Sequence, residues 1–209
     1  MVIFATRIGT GMLLATGVPL IIFGYPLLRV WVGQTYASHA TILLQALVAG
    51  NIIRMTVTPY VLAMIGSGEQ RRVILTPLME GVTNLIFSVF LARSFGAVGV
   101  AAGTLIGAMV GLVGNLLYNM PRTTEIQISI SEYCFSSLVR PTLCFLPVGL
   151  AAGLWRFLPA EPITVRIASG AFASAASAAM LWRLTLLPEE RIKLRAILRG
   201  RLRPGASHL

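Results

Sequence analysis

The chain has 209 residues, of which 56% are hydrophobic and 11% charged, and its mean hydropathy is +0.81. A soluble domain carries about a quarter charged residues to cover its water-facing surface, so a soluble globular fold is excluded and membrane thickness, not core volume, sets the element lengths. The balance is strongly basic, 17 Lys/Arg against seven Glu and no Asp, for a formal net charge of +10; yet the cations gather in the tail (Arg191, Lys193, Arg195, Arg199, Arg201, Arg203) and at the ends of apolar runs, as topology determinants and anionic-lipid contacts do, and no nucleic-acid fold signature accompanies them.

A helix needs about 20 apolar residues to cross the hydrocarbon core. Reading for such runs predicts an all-α transmembrane bundle of about six spans, over 8–28, 39–65, 73–93, 96–118, 141–158 and 163–187. The first run is too long for the core of a secretory signal and is interrupted by Pro19 and Pro26, so it is read as a mature span. The second contains Thr58-Pro59, which predicts a kink or tilt. The runs are continuous rather than alternating, which argues against a barrel. Trp31, Tyr36, Tyr118, Tyr133, Trp155 and Trp182 stand at the span ends, where interfacial aromatic belts form.

Between the fourth and fifth spans lies the one long polar connection, 120–140, expected to hold a short amphipathic helix at the membrane surface. Residues 188–209 read as a basic amphipathic tail on anionic lipid, with Ile192, Leu194, Ile197 and Leu198 on its apolar side. An even number of spans places both termini on one side, together with Arg7, Arg71, Arg72, Arg122, Arg140 and the tail cations; only Arg29, Arg93, Arg156 and Arg166 fall on the other. The positive-inside bias then puts both termini in the cytoplasm.

Polar side chains that survive in hydrocarbon mark any chemistry, because a charge at mid-bilayer costs at least about 2.5–3.5 kcal/mol. In the third span Thr76, Glu80, Asn84 and Ser88 recur every four residues, a stripe roughly 18 Å long at 1.5 Å per residue. Beside Glu80, Pro77 lacks an amide hydrogen and should free a carbonyl one turn back. In the second span Asn51, Arg54 and Thr58 share a face. The short turn 66–72 makes these spans antiparallel neighbours and brings Arg54 and Glu80 to similar depths, facing the same interior space. The pair is either a structural ion pair or the lining of a hydrophilic cavity in which Arg54 meets an anion and Glu80 takes a proton or cation. In the fourth span Gly99, Gly103, Gly107 and Gly111 recur every four residues, with Asn115 next on the line, and form a groove that another backbone can approach, inside the bundle or across a dimer. Ser169, Ala173 and Ser177 make a similar small-residue face in the sixth span.

His39 and His208 read as solvated bystanders, and Cys134 and Cys144 as two free thiols without metal or redox spacing. No metal cluster, catalytic triad, phosphate loop or dinucleotide fingerprint is present, so neither an enzyme active site nor a cofactor is expected.

The order of three pieces is recognisable: PLLRVWVGQTYASHA closing one span, NIIRMTVTPYVLAMIGSGEQRR, and TPLMEGVTNLIFSVFLARSFGAVGVAAGTLIGAMVG. Over about 8–118 the chain resembles the C-terminal half of the oligosaccharide and polysaccharide flippases of the multidrug/oligosaccharidyl-lipid/polysaccharide exporter superfamily. The resemblance implies one lobe of a two-lobe, alternating-access transporter in a bacterial inner membrane, with a lipid-linked glycan as cargo. It also implies that Arg54 could meet the lipid diphosphate and Glu80 could serve ion coupling. Such transporters pair two related halves and this chain is long enough for one, so a truncated chain, a partner lobe or a second copy is expected. The competing readings are a non-transporting membrane scaffold and a small multidrug-type exporter acting as a dimer.

Overall fold

Apolar helices stacked side by side need only a residue that tolerates positive φ to reverse direction, and glycine supplies it three times. In the computed structural model, which describes residues 2–123, 126, 128–157 and 163–185, α1 (Val2–Val32) and α2 (Gln34–Gly66) are separated by Gly33 alone, at φ 86°. The turn after α2 uses Gly68 at φ 87° and a single helical turn, Gln70–Val73. Then α3 (Leu75–Phe95) passes into α4 (Ala97–Arg122) through Gly96, whose φ 57° and ψ −134° lie where only glycine sits without strain. The remaining helices are α5 (Ile130–Leu154) and α6 (Ile163–Met180).

Helices α1 to α5 are each long and apolar enough to cross a membrane. The sixth expected span corresponds to α6, 18 residues prolonged by the π-helical turn Leu181–Thr185. Large apolar side chains cover the outside, among them Leu85 at 66%, Phe90 at 70% and Phe172 at 77% exposure. In water that surface would cost about 25 cal/mol per Å²; in lipid it costs nothing. The chain is an all-α, multi-pass membrane protein in contact with the bilayer.

Close approach of backbones holds the bundle together, as expected where lipid removes the hydrophobic drive between helices. Gly17 of α1 lies against Val48 and Ile52 of α2, Gly24 lies against Leu44, and Gln45 Nε2 donates to the Ile21 carbonyl at 2.9 Å. Gly50 of α2 faces the backbone of Leu105 in α4. On its other side α1 meets α5 and α6 through a core of Leu14, Cys144, Phe145, Val148 and Ala173. A second core, Val57, Tyr60, Met64, Val73, Met120 and Tyr133, closes the end of the bundle that carries Arg71 and Arg122.

Where a kink or tilt was expected, Pro59 lies inside a continuous α2, with the Thr58 hydroxyl folded back onto the Arg54 carbonyl at 3.2 Å, and that expectation stands. Several others change. Pro77 sits in the first turn of α3, where a missing amide costs nothing, rather than opening the helix beside Glu80. The segment expected as a surface helix instead supplies the first turns of α5. Tyr133 is fully buried there, with its ring edge-on to Tyr60 at 6.2 Å and its hydroxyl donating to the Thr56 carbonyl at 2.7 Å, so it is no interfacial belt residue. Arg7, grouped with the loop charges, lies buried on the packed face of α1. Trp31, Tyr36 and His39 are exposed around the α1–α2 turn, and both cysteines are free thiols, Cys144 buried and Cys134 partly so. Glu125, His208 and the basic tail lie outside the described residues, as does the Trp155 side chain.

Candidate functional site: a polar seam between α2, α3 and α4

Because Gly96 reverses the chain in one residue, α3 and α4 zip together from the Phe95–Gly96 junction, and residues equidistant from it meet. The glycine line of α4 therefore lands on the polar stripe of α3. A Cβ at Gly103 would collide with the backbone and hydroxyl of Ser88, one at Gly107 with Asn84 and the Glu80 carbonyl, and one at Gly111 with the Glu80 carboxylate. At Gly99 it would strike the backbone of Leu91, and at Gly114 the Thr76 methyl. All four glycines singled out by their spacing are buried in this contact, inside one chain.

The absent side chains leave room for hydrogen bonds at membrane depth, where unsatisfied polar groups are costly. The Asn84 Oδ1 accepts from Ser88 Oγ at 2.9 Å and lies 3.5 Å from the Thr104 hydroxyl of α4. One helical turn beyond the glycines, Asn119 Nδ2 donates to Thr76 Oγ1 at 2.7 Å and to Asn115 Oδ1 at 2.8 Å, while Asn115 Nδ2 donates to the Gly111 carbonyl at 2.8 Å. Asn115–Asn119 is a π-helical turn, a form in which the regular ladder gives way. Thr104, Asn115 and Asn119 were not among the expected site residues. Asn115 stands on the glycine line in the sequence without an expected role at the site, and Asn119 could have been found by continuing the same every-fourth-residue line.

Glu80 does something different. Its carboxylate rests over Gly111 and reaches sideways to α2, where Oε1 accepts from Arg54 Nε at 2.6 Å. Glu80 is mostly covered, at 17% side-chain exposure, whereas Arg54 stands at 40%. Arg54 is four residues, about 6 Å, from the middle of α2, so the pair lies along the central part of that helix. On that side of α2 the open face runs through Leu47, Asn51, Arg54, Thr58 and Leu62, with Asn51 exposed between the leucines and the ion pair. The flanks of this face are apolar and its centre is polar, the reverse of a lipid-facing strip.

Of the five residues expected to line a cavity, the structure thus divides two from three. Asn51 and Arg54 are on the open face, with Glu80 bound to Arg54 at its edge. Thr76 and Asn84 turn into the α3–α4 seam, where each accepts a hydrogen bond from a neighbouring side chain. Ser169 is half-buried, while Ala173 and Ser177 of α6 are buried, Ala173 in the core beside α1 and α5. Chemically, the open face offers one delocalised guanidinium suited to forked contacts with phosphate or carboxylate, held by one carboxylate. Comparisons with protein-family models, with curated proteins and with solved structures find no match to this chain.

Proposed function

We propose that the open face of α2 is one wall of a hydrophilic translocation path, and that this chain is a transporter lobe that helps to flip lipid-linked oligosaccharide or polysaccharide precursors across a bacterial inner membrane. The observation that carries the reading is the Arg54–Glu80 pair in the central part of an apolar helix, with Arg54 at 40% exposure. An arginine there cannot shed its charge, and lipid offers it no partner. In this reading the exposed side of Arg54 meets water, substrate or a second wall, contributed by another lobe or another copy of this chain.

In this reading the phosphate of an incoming lipid-linked glycan competes with Glu80 for Arg54. Forked phosphate contacts exceed a single carboxylate contact in strength, and Glu80, once displaced, keeps the site neutral by taking up a proton or a cation. Leaving reverses the exchange. The similarity of the 8–118 segment to the flippases of the multidrug/oligosaccharidyl-lipid/polysaccharide exporter superfamily supports the choice of cargo, and the Arg71 and Arg122 end of the bundle is assigned to the cytoplasm by the positive-inside bias. The glycine face of α4 is engaged within the hairpin, which takes one of the gripping surfaces away from the scaffold reading.

Substituting Arg54→Met tests the proposal. Losing a charged hydrogen-bond donor worth about 1.5–3 kcal/mol should slow translocation of lipid-linked glycan in the host membrane about tenfold or more, with the amount of protein in the membrane unchanged. Wild-type translocation in that variant would reduce Arg54–Glu80 to a structural ion pair.

A further inference from the structure

On the side of the hairpin away from α2, α3 and α4 leave a groove of about 500 Å³. Its walls include Leu75 and Met79 of α3 and Met109, Val113 and Tyr118 of α4, nearly all carbon. These residues are exposed, Met109 and Val113 both at about half, so something apolar fills the groove. From Ile106, at its deep end, to Tyr118 the groove runs 12 residues, about 18 Å. That is close to the hydrocarbon depth of a single leaflet, about 15 Å.

The shallow end carries a charge. The Arg122 guanidinium stacks over the Tyr118 ring, 4.2 Å from its centroid, and Nη1 donates to the Tyr118 carbonyl at 3.2 Å. Arg122 is solvent-accessible at the end of α4, so the stack holds its guanidinium at the mouth of an acyl-sized slot, alongside the other contacts it makes. Tyr118 belongs to both features: its ring walls the groove and seats the guanidinium.

We propose that this groove is a site for one anionic phospholipid, its acyl chain lying between α3 and α4 and its phosphate on Arg122. The site faces away from the Arg54 surface and does not depend on the transport reading. A partner helix would need no cation at the groove mouth, and free phosphate would need no groove; a phospholipid uses both.

The test is lipid retention by the purified, delipidated full chain, counted by native mass spectrometry with phosphatidylglycerol or phosphatidylcholine of identical acyl chains. The wild type should bind one phosphatidylglycerol about fivefold more tightly than phosphatidylcholine, the preference expected of one Arg at the membrane surface. Arg122→Gln should abolish the preference while leaving phosphatidylcholine binding as it was. Val113→Trp, which fills the groove from an exposed position, should weaken both lipids about tenfold, and excess inorganic phosphate should displace neither. Equal binding of the two lipids by the wild type, an unchanged preference in Arg122→Gln, or displacement by inorganic phosphate would overturn the proposal. Should Val113→Trp fail to give monodisperse protein, Met109→Trp fills the same slot, and full lipid binding by that variant overturns it equally.

Discussion

Gly103→Leu should part α3 from α4 and lower the melting temperature of the detergent-solubilised protein by roughly 5–10 °C, the shift that about 2–3 kcal/mol produces in a chain of this size. The reason is local. A Cβ at Gly103 meets the amide and Cα of Ser88, and a backbone cannot swing aside as a side-chain tip can. The damage spreads along the zipper, because separation at Ser88 also draws Asn84 from Thr104 and Glu80 from its seat over Gly111. Gly149→Leu is the matched control. Gly149 is exposed on α5 with no neighbour within 4 Å of a built Cβ, and its variant should melt like the wild type. Equal melting of the two leucine variants would mean that the hairpin does not depend on the glycine line.

Removing the acidic partner of the central ion pair should do more harm than removing the basic one. Glu80→Gln leaves a guanidinium on the apolar length of α2 without its carboxylate, whereas a carboxyl group, unlike a guanidinium, has a neutral form open to it when its partner is removed. Breaking a buried pair from one side costs about 3–5 kcal/mol. With Arg54 at 40% exposure, solvent discounts that figure to about 1–3 kcal/mol for Glu80→Gln, and Arg54→Met should cost less. The double variant, carrying neither charge, should regain most of the stability while remaining inactive in transport. Unfolding measured for all four proteins gives the coupling energy directly. Additive losses would mean that the two side chains do not interact in the membrane, and a double variant that still transports would remove the pair from the mechanism.

The spacing of a few residues made much of this arrangement readable. Hydropathy located the helices, although α1 and α2 outrun the expected 8–28 and 39–65 by several residues at their ends, because helices continue into headgroups where residues such as Gln34 and Thr35 are as well solvated as in water. The Arg54–Glu80 contact followed from the short turn and the equal depth of the two residues. The seam between α3 and α4 did not. Its two halves, the polar stripe and the glycine line, were each plain, but their docking depends on the chain reversing at Gly96 alone. Hydropathy leaves that position uncertain by a few residues, and a shift of one residue rotates each face by about 100°. Likewise Tyr133 reads as an interfacial belt residue. Nothing in the local sequence announces that Tyr60, Thr56 and the start of α1 will bury it. Tertiary contact, not hydropathy, decides such positions.

The account rests on the open face of α2 being bathed in water rather than lipid. Asn51→Cys, in a chain whose Cys134 and Cys144 are replaced by Ala, measures this in intact membranes through its rate of reaction with a charged, membrane-impermeant thiol reagent. Leu85→Cys on the lipid-facing side of α3 serves as the reference. Thiol chemistry needs a thiolate, which forms in water and not in hydrocarbon. Asn51→Cys is expected to react at least about tenfold faster than Leu85→Cys, and to be protected when lipid-linked glycan is added. If both cysteines stay equally unreactive, the centre of α2 is dry and no translocation path runs along it.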